Sequence, residues 1–111
     1  MRKIEEQMIK AIQNKKEWKN SNTRVIVIKD EPINKEYPVD DIYITLFDRT
    51  IAQLLSGKEL LVKDARYQTA TTKSRLNAIL FTYKLPRIYQ ENYQWYIGDE
   101  KWEGQKTFNL G

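Results

Sequence analysis

The sequence predicts an α+β protein with two helices and a mostly antiparallel sheet, in the order α-β-β-β-β-α-β-β-β. Two segments repeat apolar residues at helical spacing, and seven shorter segments are rich in β-branched and aromatic residues and separated by turn signals. Because the strands follow one another in runs instead of alternating with helices, the pattern is typical of antiparallel pairing. With 111 residues, the chain is expected to form a single domain, with a helix at 3–18 and an α+β core at about 23–110.

The first helix is predicted over residues 3–18. Its apolar residues recur at helical spacing, and Lys or Glu occupies other positions; the apolar stripe consists of Ile4, Met8, Ala11 and Ile12. The polar run at 20–22 then breaks this spacing, so the helix is expected to end near Trp18.

Four strands are predicted between the helices. Residues 23–29 are apolar and β-branched on both faces, which favours a central strand. Residues 30–41 contain two prolines and five acids and are interpreted as an exposed loop. Residues 41–47 alternate with a period of two and are expected to form a hairpin with 50–54, and a short strand at 60–62 follows the next turn signal.

The second helix is predicted over residues 69–84. It begins with Thr and Ser, which are good N-cap residues, and continues with apolar residues at i, i+3, i+4 and i+7 before Pro86. Residues 88–89, 93–97 and 106–110 are predicted to form a small C-terminal meander of strands.

The composition excludes most familiar enzyme chemistry. With 0 Cys and 0 His, the chain offers no disulfide, thiol nucleophile, Cys/His zinc site or imidazole base. It has no glycine-rich phosphate loop, and solvated loop charge explains the acidic pairs at 40–41 and 99–100 better than catalytic carboxylates or metal ligands do. We therefore expect a protein without catalytic residues, bound metal or cofactor.

The N-terminal segment argues against export or membrane insertion. Glu5 and Glu6 interrupt the region where a signal peptide needs an apolar core, and no uncharged apolar run approaches the ~18 residues that span a bilayer. We expect a cytoplasmic protein with no membrane partner.

Positive charge is concentrated in residues 65–90. The formal net charge is +4, and this acid-free stretch contains five cations: Arg66, Lys73, Arg75, Lys84 and Arg87. Such a stretch can build a positive surface for an anionic partner, although a solvated basic face that binds nothing specific would have the same composition. The run from Thr71 to Arg75 opens the second helix, where the free backbone N–H groups favour an anion; ordinary Thr capping is the alternative.

Aromatic residues crowd into the last third of the chain. Because side chains alternate along a strand, Tyr93 and Trp95 are expected to share one face and Tyr96 to lie on the other. Exposed aromatic rings beside a basic helix could stack unpaired bases. Core packing or a protein-binding hot spot would use the same residues.

Several motifs together resemble one family. TTKSRLNAIL at 71–80 precedes Leu-Pro, YQENYQWYIGD follows at 89–99, and W-x-G begins at Trp102. With the turn at 48–52, this pattern resembles a family of small proteins of unknown function encoded by bacteriophages and other mobile elements, over about residues 20–108. The resemblance implies a phage-type origin and a compact α+β domain, and it brings no activity.

The leading hypothesis is a non-enzymatic accessory protein that binds DNA or RNA. The predicted nucleic-acid-binding residues are Arg66, Lys73, Arg75, Lys84, Arg87, Tyr93 and Trp95. One alternative is a module that binds a host protein through Trp and Tyr anchors, and another is a self-associating virion component. If the chain is encoded by a phage, its expected location is the host cytoplasm.

Overall fold

The computed structural model describes residues 1–30 and 39–111. The elements in these ranges are α1 (Lys3–Gln13), β1 (Trp18–Asn20), β2 (Thr23–Asp30), β3 (Val39–Leu46), β4 (Arg49–Leu55), β5 (Glu59–Lys63), α2 (Ala70–Thr82), β6 (Ile88–Glu91), β7 (Gln94–Ile97), β8 (Glu100–Lys101) and β9 (Gln105–Asn109). The predicted α+β class and antiparallel pairing are confirmed, and the structure adds β1 and β8 to the predicted strands.

The strands form two antiparallel sheets. The larger sheet has the order β1-β2-β3-β4-β5-β9, and the smaller one has the order β6-β7-β8. The predicted C-terminal meander is therefore only partly correct: β6, β7 and β8 form it, whereas β9 leaves it and pairs with β5. Along the sequence, the small sheet therefore lies between α2 and β9, the last strand of the large sheet.

One face of the large sheet carries the core. Val25, Ile44, Ala52 and Val62 lie in register across four neighbouring strands, and all four are fully buried. Both helices add apolar side chains to this core: Met8, Ile9 and Ile12 from α1, and Leu76, Ile79 and Leu80 from α2. Removal of this apolar area from water is the main force that holds the helices on the sheet.

The strand β2 is buried on one face only. Val25 and Thr23 are fully buried, whereas Ile28 is 45% exposed. The prediction of a strand buried on both faces is wrong because the two helices join the core on the same side of the sheet as Val25. Most of the predicted loop at 30–41 lies outside the described residues. The prediction is wrong at both ends, because Asp30 is the last residue of β2 and residues 39–41 belong to β3.

The first helix ends earlier than predicted. The N–H of Lys16 donates to Ala11 O at 3.0 Å and the N–H of Lys15 donates to Ile12 O at 3.2 Å, which is the hydrogen-bond pattern of a Schellman motif. Lys15 occupies the left-handed position of this motif, with φ 52°. The chain then leaves the helix, and Trp18 pairs with Val25 as the first residue of β1.

The second helix is close to its predicted bounds. The Thr69 hydroxyl caps it by accepting the N–H of Thr72 at 3.1 Å. Asn77 ties its middle to β6, because its side-chain amide donates to Ile88 O at 2.8 Å and its oxygen accepts the Ile88 N–H at 2.7 Å. This pair of bonds fixes the small sheet against α2.

Burial raises the pKa of the Tyr83 hydroxyl above its ordinary value of 10.0. The folded protein then holds this proton more tightly than the unfolded chain does. The resulting contribution to stability is complete below about pH 10 and is lost as pH rises from there through the pKa of the folded state. Between about pH 9 and about pH 11, the free energy of unfolding measured in urea should therefore fall less for Tyr83→Phe than for the wild type.

The control for this effect is Tyr93→Phe, because Tyr93 is 95% exposed. We expect that variant to lose stability at high pH as the wild type does. An equally steep decline in Tyr83→Phe and Tyr93→Phe would contradict the assignment to Tyr83.

Candidate nucleic-acid interface

Arg75 lies inside the protein, although the sequence pattern placed it on the basic surface. It is 4% exposed, and its Nη1 donates to Glu5 Oε2 at 2.8 Å while its Nε donates to Thr23 Oγ1 at 3.0 Å. Glu5 is itself 2% exposed and also accepts the Ser74 hydroxyl at 2.6 Å. The assignment of Arg75 to the basic surface is corrected: it joins α2 to α1 and β2.

Trp95 is also part of the core. It is 2% exposed, and its ring centroid lies 6.5 Å from that of Trp102. Tyr93 does not share its surroundings, because Asn92 and Tyr93 form the turn between β6 and β7 with φ of 50° and 65°. Tyr93 is 95% exposed there. The prediction that Tyr93 and Trp95 share one face is therefore wrong, and of these two predicted nucleic-acid-binding residues only Tyr93 is exposed.

Two of the predicted cations, Lys73 and Arg87, come together at one surface pocket of about 460 Å³. Asn77 and Tyr89 also line it, and Glu91 adds one acid to the lining. The α2 helix supplies Lys73, and the segment that leads into β6 supplies Arg87. The clamp between Asn77 and β6 holds these two parts together.

The other two predicted cations lie elsewhere. Lys84 is exposed just beyond the end of α2, where it takes the left-handed position of a second Schellman motif with φ 57°. Arg66 is exposed in the connection between β5 and α2, with φ 66°. Neither residue lines the pocket that Lys73 and Arg87 share.

A pair of tyrosines extends this pocket into an aromatic surface. Tyr89 and Tyr96 face each other across β6 and β7, and their rings are stacked with centroids 5.5 Å apart and planes 17° apart. The Arg87 guanidinium lies over the Tyr89 ring at 5.4 Å. Lys73 Nζ lies 5.8 Å from the ring of the buried Trp95, on the face of the hairpin opposite to the two tyrosines. We call the group Lys73, Asn77, Arg87, Tyr89 and Tyr96 the Tyr89 surface.

Tyr89 and Tyr96 are not among the site residues that the sequence predicts. The signal that identifies them is the alternation in the β6–β7 hairpin. Ile88 and Ile97 form a buried cross-strand pair, and the next pair along the ladder, Tyr89 and Tyr96, must therefore point to the opposite face. Both tyrosines are half-buried there.

Two further observations bear on the expectations about metal and membrane. Within residues 1–30 and 39–111, no three Asp or Glu side chains are grouped so that they could hold a metal ion. None of the helices in those same ranges is long and apolar enough to cross a membrane.

The fold and the Tyr89 surface define a small α+β protein that presents cations and stacked aromatic rings together. The family model described as Kyanoviridae Gp96 protein matches residues 1–111, and the chain belongs to this family of phage proteins. The expected phage origin is thereby confirmed. No curated protein and no solved structure matches the chain.

Proposed function

We propose that the protein binds single-stranded nucleic acid at the Tyr89 surface and does not transform it chemically. The observation that carries the proposal is the placement of Arg87 over Tyr89, with Tyr96 stacked beside it and Lys73 on the same pocket. Aromatic rings stack unpaired bases, and neighbouring cations bind the phosphates between them. In a duplex the faces of the bases stack on one another and are not accessible to the tyrosine rings. The two tyrosines therefore favour a single strand.

The charge distribution supports the same partner. Residues 65–90 contain no acid, and burial of the Arg75–Glu5 pair leaves Arg66, Lys73, Lys84 and Arg87 as the cations of this stretch outside the core. Each cation that neutralises a phosphate on a single strand adds about 0.7 to the slope of log affinity against log salt. Binding should therefore weaken with salt and depend little on sequence.

The test is Lys73→Glu with Arg87→Glu, measured by fluorescence anisotropy against a labelled single strand of about 16 nucleotides. We expect at least tenfold weaker binding at about 0.15 M salt and a salt slope reduced by about 1.4. Lys73 lies near the start of α2, where a glutamate suits the helix dipole, so the fold should tolerate the exchange.

The matched control is Lys10→Glu with Lys58→Glu, which changes the net charge equally at two exposed positions outside the Tyr89 surface. It should keep most of the wild-type affinity. Equal losses of affinity in the two double variants would show that overall charge causes the effect. That result would reject the Tyr89 surface as the binding site. Failure of the wild-type protein to bind at physiological salt would reject the function itself.

A further inference from the structure

A second pocket, separate from the Tyr89 surface, lies between the β3–β4 turn and the start of α2. Its volume is about 340 Å³. Leu46, Ile51 and Ala65 form an apolar wall, and Phe47, Arg49 and Tyr67 also line the pocket. We call it the Phe47 pocket.

The backbone of Phe47 is unusual for its residue type. Phe47 and Asp48 form the β3–β4 turn with φ of 50° and 62°, a conformation that glycine and asparagine adopt far more readily than a bulky aromatic residue does. The Phe47 ring is 68% exposed, so burial in the core does not compensate this strain. Strained residues of this kind are concentrated at ligand sites, where the ring can contribute to binding instead.

Arg49 gives the pocket a positive group in a fixed place. Its guanidinium carbon lies 4.0 Å from the centroid of the Tyr67 ring, and Tyr67 is 49% exposed. Within the described ranges, no ion pair is found for Arg49, so its N–H donors can meet an anion. A guanidinium held on an aromatic face is well suited to a phosphate and also to stacking.

Asp64 also lines the pocket, but its carboxylate is committed to structure. Its Oδ2 accepts Trp102 Nε1 at 2.9 Å and Gln68 Nε2 at 3.1 Å, and its Oδ1 accepts the Arg66 N–H at 2.9 Å. This buried negative charge disfavours an anion deep in the pocket. A phosphate is therefore confined to the outer side, where Arg49 lies.

We propose that the Phe47 pocket binds a nucleoside phosphate, with the base against the Phe47 ring and the apolar wall, and the phosphate on Arg49. The volume lies within the range of small-molecule sites. Phe47 also lines a neighbouring pocket that contains two cations, Lys19 and Arg24, and one acid, Asp48. The nucleoside phosphate is a free nucleotide or one unit of a strand, and the experiment distinguishes these two sources.

The decisive variant is Phe47→Asn, because asparagine tolerates positive φ and removes the ring. The variant should unfold at the same or a higher temperature than the wild type, so weaker binding cannot be attributed to unfolding. The backbone control is Ser56→Asn, which makes a similar exchange at φ 56° in the β4–β5 turn and should leave binding unchanged.

The first measurement is anisotropy with the labelled single strand. About tenfold weaker binding by Phe47→Asn, with Ser56→Asn unchanged, supports a nucleotide within a strand. The second measurement is an NMR titration with free AMP and with adenosine, observed at Phe47, Arg49 and Tyr67. Larger chemical-shift changes at these residues with AMP than with adenosine support a free nucleotide, provided that Arg49→Gln abolishes the difference.

Wild-type affinity of Phe47→Asn for the strand, together with no AMP-dependent shifts at the pocket, would overturn the inference. That result would leave the Tyr89 surface untouched, because the Lys73→Glu, Arg87→Glu variant tests it separately. Loss of strand binding in that double variant alone supports the proposed function without the pocket. AMP binding in a protein that binds no strand supports the pocket without the proposed function.

Discussion

Arg75→Leu is expected to lower the free energy of unfolding by about 3–5 kcal/mol, the usual cost of removing one partner of a buried ion pair. Glu5 would keep the Ser74 hydroxyl but lose its counter-ion, while remaining 2% exposed among apolar side chains. Thr23 would also lose the donor at 3.0 Å. Since small domains are stable by only about 5–15 kcal/mol, urea unfolding should show this change directly.

The double variant Glu5→Leu with Arg75→Leu separates two contributions to the change in stability: the unpaired charge of Glu5 and the loss of packing. It should be more stable than Arg75→Leu alone, because no carboxylate is left unpaired in the core. Lys73→Leu is the control on the same helix and should change stability by about 0.5 kcal/mol or less. A cost below about 1 kcal/mol for Arg75→Leu would contradict the buried pair.

The ion pair also changes how the basic surface can be tested. Charge reversal at Arg75 would bring a second carboxylate against Glu5 inside the protein. Such a variant would unfold, and it would then lose binding to any partner because the fold is lost. Lys73 and Arg87 are the positions at which charge reversal reports on the surface.

Helical spacing alone shows that each partner of this pair lies on the apolar face of its helix, but not that the two partners meet. Glu5 lies on the same helical stripe as Met8 and Ile12, and Arg75 lies one turn before Ile79 on the stripe of α2. Each helix therefore carries one charged residue on its buried face, and the two charges are opposite. The 70 residues that separate the partners concealed the contact, since their meeting depends on how both helices pack on the sheet.

Local signals predicted the elements better than their arrangement. The Thr69 cap and the hairpin of β3 with β4 are short-range features, and both form. The predicted alternation at 41–47 is only partly correct, because a register shift between Ile44 and Thr45 interrupts it and Phe47 lies in the turn. The pairing of β9 with β5 is long-range, and strands as short as β8 carry too few residues to show a period. The end of α1 was misplaced because Lys15 takes a left-handed conformation that glycine usually marks.

The candidate site was predictable in its charge and less so in its aromatic residues. Lys73 and Arg87 could be identified because no acid interrupts their segment. Tyr89 and Tyr96 were missed because which face of a two-sided hairpin is buried depends on its packing against α2, which is a tertiary contact. The strained turn at Phe47 is likewise visible only in the backbone.

Trp95→Ala is expected to lower the free energy of unfolding by about 3–5 kcal/mol, because it leaves a large cavity in the core. Trp95 is 2% exposed, and it is among the largest buried side chains. A surface anchor would behave differently: its removal would weaken partner binding and leave stability unchanged. Urea unfolding of the variant therefore distinguishes a core residue from a binding hot spot.

Tyr93→Ala is the matched control, since it removes an aromatic ring only two residues away in the same hairpin. Tyr93 is 95% exposed, so its loss should change stability by about 0.5 kcal/mol or less. Equal stability of the two variants would contradict the placement of Trp95 in the core. A large difference between them would support the placement of Trp95 in the core and of Tyr93 at the surface of the same hairpin.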